Sequence, residues 1–201
     1  MKNPILLAMA TLMLLSSCEK SAEALVEKAT SSNPSVTANG FTRYTIKQGQ
    51  HHAAGNVYKA IETSEMKFVV KFDSTAVYTT KSAENQYDIN KLYGFSDNNS
   101  DHHQFSARFG WRWSNNALRL FAYIYNNGNV IAKELKAINI GQEVTCAIQV
   151  TATSYLFTVN DYTERFPRMA TTPKAKGYQL YPYFGGNEVA PHDVNVFIKV
   201  L

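Results

Sequence analysis

Cysteine is scarce in this chain: Cys18 and Cys146 are the only two in 201 residues. That excludes a disulfide-stapled miniature domain and any metal finger built on paired thiols. There is no CxxC, no zinc-type Cys/His spacing and no glycine-rich phosphate loop. No apolar run reaches the ~20 residues of a membrane-spanning helix, and no long stretch has the apolar stripe of an amphipathic helix. Charge of either sign is sparse. Lys and Arg total 20 against 16 Asp and Glu, a net of +4. The basic residues are dispersed along most of the chain, whereas a nucleic-acid binder concentrates them in a stripe; no nucleic-acid partner is expected.

What is present begins with an address label. Lys2 precedes a short apolar run, Ile5 to Leu15, which fits the hydrophobic segment of a secretory signal. It ends in Leu15-Ser16-Ser17-Cys18, which resembles a bacterial lipobox. The resemblance implies cleavage after residue 17, acyl chains on Cys18, and attachment by lipid rather than by a helix. Residues 1–17 are therefore read as a leader. Residues 18–40 are read as a tether, because SSNPSVTANG cannot bury enough apolar surface to offset ordering. Residues 41–201 form one domain, large enough for a substantial core. The expected location is the bacterial outer membrane, periplasmic or surface-exposed, and a monomer is expected.

The domain reads as nearly all β. Alternating runs predict strands at 42–47, 67–72, 76–80, 104–113, 118–125, 130–136, 143–150, 155–160, 178–184 and 193–200. Turn residues separate most of them, and Asn127-Gly128 between two alternating runs is a strong hairpin signal. Cys146 falls in the apolar register of its strand and reads as a small buried hydrophobe. The last strand is apolar enough to lie in the middle of a sheet. Many short strands without a long helix predict an antiparallel two-sheet β-sandwich or jelly roll.

The most informative stretch runs from Asp101 to Tyr125, two strands joined at Ser114-Asn115-Asn116. Phe105, Ala107, Phe109, Trp111 and Trp113 share one face of the first strand, because side chains alternate. Gln104, Ser106, Arg108, Gly110 and Arg112 share the other. The second strand adds an apolar row of Leu118, Leu120, Ala122 and Ile124, with Arg119, Phe121, Tyr123 and Tyr125 opposite. Only one face of each sheet meets the core of a sandwich, and the tryptophan row claims it. The polar face is left for solvent or ligand. Arginine forks onto carboxylates, and tyrosine rings offer flat area to sugar C–H faces. The expected ligand-binding set is Gln104, Ser106, Arg108, Arg112, Arg119, Tyr123, Tyr125, Tyr181 and Tyr183.

The strand SARFGWRW, the tyrosine-rich strand after it, and Tyr181-Pro182-Tyr183-Phe184-Gly185-Gly186 through Ala190-Pro191-His192-Asp193 with the final strand resemble the concanavalin A-like lectin/glucanase superfamily. More narrowly, they resemble uncharacterised lipoproteins of that type and jelly-roll polysaccharide lyases. The resemblance implies two curved sheets, a concave face that receives glycan, and sometimes a structural Ca²⁺; no cofactor is required. Its lyase motifs are only partly matched. Arg108 and Arg112 lack a Glu between them, no His follows Gln149 at the expected spacing, and Tyr181 and Tyr183 run into Gly-Gly. The catalytic candidates under a lyase reading are Arg108, Arg112, Tyr123, His103 and Tyr183. A glucanase-type E-x-D-x-E strand is absent, and the acids fall mainly in loops.

Four further segments carry alternatives. Asp97 to His103 offers oxygens for Ca²⁺, with Asp97, Asp101 and Asp193 as metal candidates, or histidines to line a groove, or a self-bonded polar turn. His51-His52 reads as an exposed loop or as a metal-binding histidine pair. His192-Asp193 is an oriented pair or a hydrogen bond at the start of a strand. In 88–95, Asn90, Lys91 and Tyr93 rim a groove, or the segment is a packed connection. The favoured function is a non-catalytic lipoprotein that binds an acidic polysaccharide. Alternatives are a lyase with a divergent site and a structural or adhesive surface protein. Replacing Cys18→Ser should abolish incorporation of labelled fatty acid and move the protein from the membrane to the soluble fraction; unchanged labelling would refute the lipobox.

Overall fold

A computed structural model describes residues 34–201. The leader, Cys18 and most of the tether lie outside the described residues. Among the described residues, thirteen strands follow one another: β1 (Ser35–Val36), β2 (Thr42–Ile46), β3 (Ala60–Thr63), β4 (Glu65–Phe72), β5 (Asn90–Ser96), β6 (Phe105–Ser114), β7 (Ala117–Asn126), β8 (Asn129–Ile138), β9 (Val144–Val150), β10 (Ser154–Val159), β11 (Tyr162–Pro167), β12 (Ala175–Leu180) and β13 (Val194–Val200). They form a seven-stranded sheet, β1-β2-β13-β4-β9-β10-β11, and a six-stranded sheet, β3-β12-β5-β6-β7-β8. The strands pair antiparallel throughout both sheets.

The predicted sandwich is thus the observed one, and its hairpins turn where the sequence places them. Asn115 and Asn116 both have positive φ between the paired Ser114 and Ala117. Asn127 and Gly128 do the same between Asn126 and Asn129. Two successive left-handed residues match the twist of the strands they join, which is why Asn and Gly occupy them. β13 lies between β2 and β4, inside its sheet as expected. Val194, Val196 and Ile198 are buried, whereas Val200 is exposed.

The core is where the two sheets face each other. Ala107, Phe109 and Trp111 of β6 are fully buried. Phe109 meets Phe68 of β4 at 5.7 Å and Phe157 of β10 at 5.0 Å between ring centroids. Trp111 meets Phe72 at 5.0 Å. Each such ring contributes roughly 1.5–3 kcal/mol by leaving water, so the tryptophan row sets which face of β6 points inward. Trp113 is only partly buried at the edge of this cluster. Cys146 is a free, fully buried thiol, and burial pushes its pKa well above the ordinary range.

Several expectations are corrected. Residues 76–80 are not a strand: Ser74–Ala76 is a 3₁₀ turn whose N-cap, Asp73, accepts from the Thr75 amide. Ala76 and Tyr78 are buried, so the alternation there reports burial without sheet pairing. The strand expected at 178–184 ends at Leu180, because Pro182 has no N–H to give a ladder. The folded unit begins before residue 41, since Ser35 and Val36 pair with Arg43 and Thr42.

One connection between the sheets is ionic. Asp97, just after β5, is fully buried. Its Oδ2 accepts from Arg168 Nε and from Tyr155 Oη of the opposite sheet, both at 2.7 Å. Its Oδ1 accepts from the Asn98 amide at 2.6 Å, and from Arg168 Nη2 and the Lys176 amide, each at 3.1 Å. Burial raises its pKa, but the hydrogen bonds from Arg168, Tyr155 and Asn98 outweigh that and hold the carboxyl below the ordinary range. A second, exposed link joins the sheet edges, where Lys133 and Lys136 of β8 reach Glu164 and Asp161 at 2.8 and 3.1 Å.

Substituting Asp97→Asn leaves the Arg168 guanidinium buried without its counter-charge and should cost about 3–5 kcal/mol, read by urea unfolding. In the unsubstituted protein the stabilisation from this depressed pKa is complete above the usual Asp range and is lost as pH falls through the folded value. An acid-unfolding midpoint unmoved by the substitution would contradict the assignment.

Candidate functional site

The outer face of the six-stranded sheet carries the cleft. Arg108 lies near the middle of β6, with Gly94 of β5 and Tyr123 of β7 on either side of it in the ladder. Between Lys91 and Gly94 the register shifts by one residue. That bulge puts Leu92 and Tyr93 together in the core and returns Lys91 to the outer face. Gly94 must be glycine: a Cβ there would sit 2.3 Å from the Ala107 carbonyl oxygen and 2.4 Å from Arg108 Cα.

After β12 the chain runs as a strap, Tyr181-Pro182-Tyr183, beside this floor. Tyr183 and Lys91 exchange backbone hydrogen bonds at 2.8 and 2.9 Å. The Tyr183 ring stacks on His51 at 5.1 Å and meets His52 edge-on at 4.8 Å. Asn90, buried beneath, accepts from the Gly185 amide and donates to Tyr78 Oη. At the other end of the floor stand His102 and His103. His102 Nδ1 lies 2.9 Å from Tyr178 Oη, and His103 meets the Tyr125 ring at 5.4 Å. The open cleft has a volume of about 490 Å³.

Its lining is mostly basic and aromatic. Among the described residues, lysine, arginine, histidine and tyrosine side chains line it and no carboxylate does, although Asp101 stands just outside, 3.3 Å from His103 Nδ1 and 3.7 Å from His102 Nδ1. Arg108 is only 7% exposed, and its Nε has no hydrogen-bond partner. Its guanidinium stands 5.3 Å from the centroid of the Tyr123 ring, and Lys91 Nζ stands 4.8 Å from the same centroid. Burial, and then the nearby Arg108, lower the Lys91 pKa to about 8 against an opposing pull from Asp88. Burial, Arg108 and His103 also lower that of His102, which favours the neutral imidazole. Tyr123 is pushed up to about 12, chiefly by burial, and stays a phenol. An unpartnered buried cation is costly; the arrangement is suited to receiving an anion.

The sequence placed Arg108, Tyr123, Tyr125, Tyr181, Tyr183 and His103 at the site, and all six line the cleft. Four other expectations are corrected. Ser106 is fully buried, its short side chain set between Ser96 and Tyr125 in the ladder. Gln104 is exposed next to the Gly128 turn. Arg112 donates to the Tyr87 carbonyl at 2.8 Å and to Ser114 Oγ at 3.1 Å, and lies over the Phe121 ring. Arg119 is held by Glu134 at 2.7 Å. Arg112 and Arg119 pair two rungs beyond Gly110 and Phe121, toward the far end of the hairpin. Parity alone put them with Arg108; distance along the strand separates them.

His52, Asn56, Lys91, His102 and Gln179 are the other polar side chains of the lining. Of these, Gln179 and Asn56 carried no signal. Lys91 and the histidines stood in segments read two ways, and Tyr93, offered as a rim residue, is core.

The metal candidates do not fit a calcium ion. Asp97 spends both oxygens on protein donors, and Asp193 is bound to Lys47 Nζ at 2.8 Å and the Gln48 amide at 2.9 Å. Asp101 accepts from the His103 amide and stands with His102 and His103. That cluster offers one carboxylate and two imidazoles, whereas Ca²⁺ takes six to eight oxygens. His192 bonds the Thr75 carbonyl rather than Asp193.

No protein-family model and no curated protein sequence matches the chain. Solved structures do match. An alginate lyase superposes with a TM-score of 0.58 at 8% identity, covering 84% of this chain and 76% of the lyase. A non-specific endo-β-1,3(4)-glucanase of family GH16 gives 0.55 at 10% identity, covering 83% and 71%. A Bacteroides ovatus mixed-linkage glucan GH16 protein in complex with its G4G4G3G product gives 0.52 at 11% identity, covering 80% and 81%. The fold is therefore the concanavalin A-like jelly roll of these structures. Gly94→Ala should destabilise the protein by about 1–3 kcal/mol, because its neighbours at the close approach are backbone and Cβ atoms of β6; an unchanged urea midpoint would show that β5 and β6 can separate freely.

Proposed function

We propose that the protein is a cell-envelope lipoprotein whose cleft binds an acidic polysaccharide, a uronate chain in particular. The observation that carries this is Arg108: a buried guanidinium with a free Nε, on the floor of a cleft lined by no carboxylate. A uronate carboxylate in the cleft would give the reachable end of this guanidinium an acceptor, with charge-assisted bonds worth about 1.5–3 kcal/mol each. Lys91 adds a second positive group. Tyr123, Tyr125, Tyr181 and Tyr183 add ring area for sugar C–H faces. The neighbouring folds named as alginate lyase and glucanases handle glycans, which agrees with this reading at the level of fold. Anchorage at the outer membrane through Cys18 would hold the cleft beside the polysaccharides of the envelope.

Calorimetric titration of polymannuronate, polyguluronate and polyglucuronate into the protein should show binding by at least one of them, weakened by salt. Arg108→Met, which keeps the aliphatic stem, should lower that affinity at least tenfold. Equal affinity for neutral glucans, or an Arg108→Met variant that binds like the parent, would overturn the assignment.

A further inference from the structure

We infer that Asp101, His102 and His103 form a binding site for a divalent transition ion of the zinc class at the rim of the cleft. The inference stands apart from the acidic-glycan reading, because it rests on the donor set of one turn and not on Arg108. The three residues lie in the connection between β5 and β6. His103 Nδ1 stands 3.3 Å from Asp101 Oδ1, and His102 Nδ1 stands 3.7 Å from Asp101 Oδ2. The two imidazole rings are 4.1 Å apart between centroids. One ligand atom from each residue lies within 4.8 Å of the other two. A tetrahedral Zn²⁺ with bonds of about 2.0–2.1 Å holds its ligand atoms roughly 3.3–3.4 Å apart. The turn therefore presents two nitrogens and a carboxylate at close to the spacing such an ion requires.

The chemistry of the donors selects the class of ion. Imidazole nitrogen suits Zn²⁺, Cu²⁺ and Ni²⁺, whereas Ca²⁺ and Mg²⁺ want more oxygen than one carboxylate supplies. Two histidines elsewhere in the fold spend a ring nitrogen differently. His51 Nδ1 and His192 Nε2 each bond a backbone carbonyl at 2.9 Å, those of Phe184 and Thr75. His102 and His103 instead turn Nδ1 toward one shared carboxylate.

The ligands are held in place by the protein itself. The Gln104 and Phe105 amides donate to the Asp101 carbonyl at 2.9 and 3.1 Å, and the His103 amide donates to Asp101 Oδ1 at 2.8 Å. Tyr178 reaches across from β12, where its own amide donates to Ser96 Oγ at 2.9 Å. Its Oη accepts from the His102 amide at 3.2 Å, and lies 2.9 Å from His102 Nδ1 and 3.5 Å from Asp101 Oδ2. An arriving ion replaces the phenol at His102 Nδ1, and the hydroxyl turns to Asp101 Oδ2. Tyr178 is thus a positioning residue that orients the carboxylate. His102 and His103 both line the cleft, so the remaining coordination position faces it and takes a water. Arg108 acts on His102 as a like charge. A dication must overcome that repulsion, which makes the site depend on all three ligands together.

The test uses full-length protein without an affinity tag, stripped of metal by a chelator. Zinc sulfate is titrated in against a chromogenic chelator, and Co²⁺ is followed by its visible absorption. One Zn²⁺ per chain should bind and resist displacement by excess Ca²⁺, and Co²⁺ should give the strong bands of a four-coordinate ion. His102→Gln and His103→Gln should each lower Zn²⁺ affinity at least about a hundredfold, and Tyr178→Phe about tenfold with an altered Co²⁺ spectrum and an unchanged urea midpoint. A parent that binds no Zn²⁺, or Zn²⁺ binding that survives the double substitution His102→Gln and His103→Gln, overturns the site. Uronate binding by the metal-free protein decides the glycan reading separately.

Discussion

The buried pair of Asp97 and Arg168 is the constraint on which the rest of the molecule depends. β12 and β5 share only two ladder pairs, Gln179 with Phe95 and Leu180 with Gly94. So short a contact would hold the strap poorly by itself. Asp97 reinforces it by binding the Lys176 amide at the start of β12 and Tyr155 of the opposite sheet through a single carboxylate. Arg168, completely buried, also donates to the Thr172 and Lys174 carbonyls. A fully satisfied buried network of this kind specifies one arrangement, because every alternative leaves a charge without a partner. The strap that walls the cleft follows β12, the strand whose start that network anchors.

The same energetic rule operates in opposite senses a few residues apart. At Asp97 a buried charge is saturated by donors, and its environment is closed. At Arg108 a buried charge lacks an acceptor, and its environment opens onto the cleft. The first is structural and the second poised for a ligand, although both look alike as single charged letters in a β-rich sequence. The contrast also explains why the oxygen-rich loop presents few carboxylate oxygens to a cation. Its best carboxylate turns inward, and only Asp101 and the two histidines remain at the rim.

Regular alternation made most of the fold legible. Where one face of a strand is buried and the other wetter, as in β7 and β13, period-two patterning gives the strand and its parity. It fails where that contrast fades. β5 is buried on nearly every residue and interrupted by a bulge, so Leu92 and Tyr93 break the pattern, and the segment looked like a connection. Edge strands β3 and β11 are too polar to stand out. At the site, parity selected the correct face but could not say which rung a side chain would occupy. Arg108 and Tyr123 are true neighbours across the ladder, whereas Arg112 and Arg119 belong to the far end. Lys91 and His52 reach the cleft through a bulge and an isolated bridge to Tyr183, long-range geometry that no local pattern encodes.

The lysines on β8 matter less for strength than for what they forbid. Exposed ion pairs such as Lys133–Glu164 and Lys136–Asp161 add little to stability. They do occupy the rims of both sheets with charged side chains, at the point where unpaired backbone groups would otherwise invite another strand. That discourages edge-to-edge strand pairing between copies of the chain.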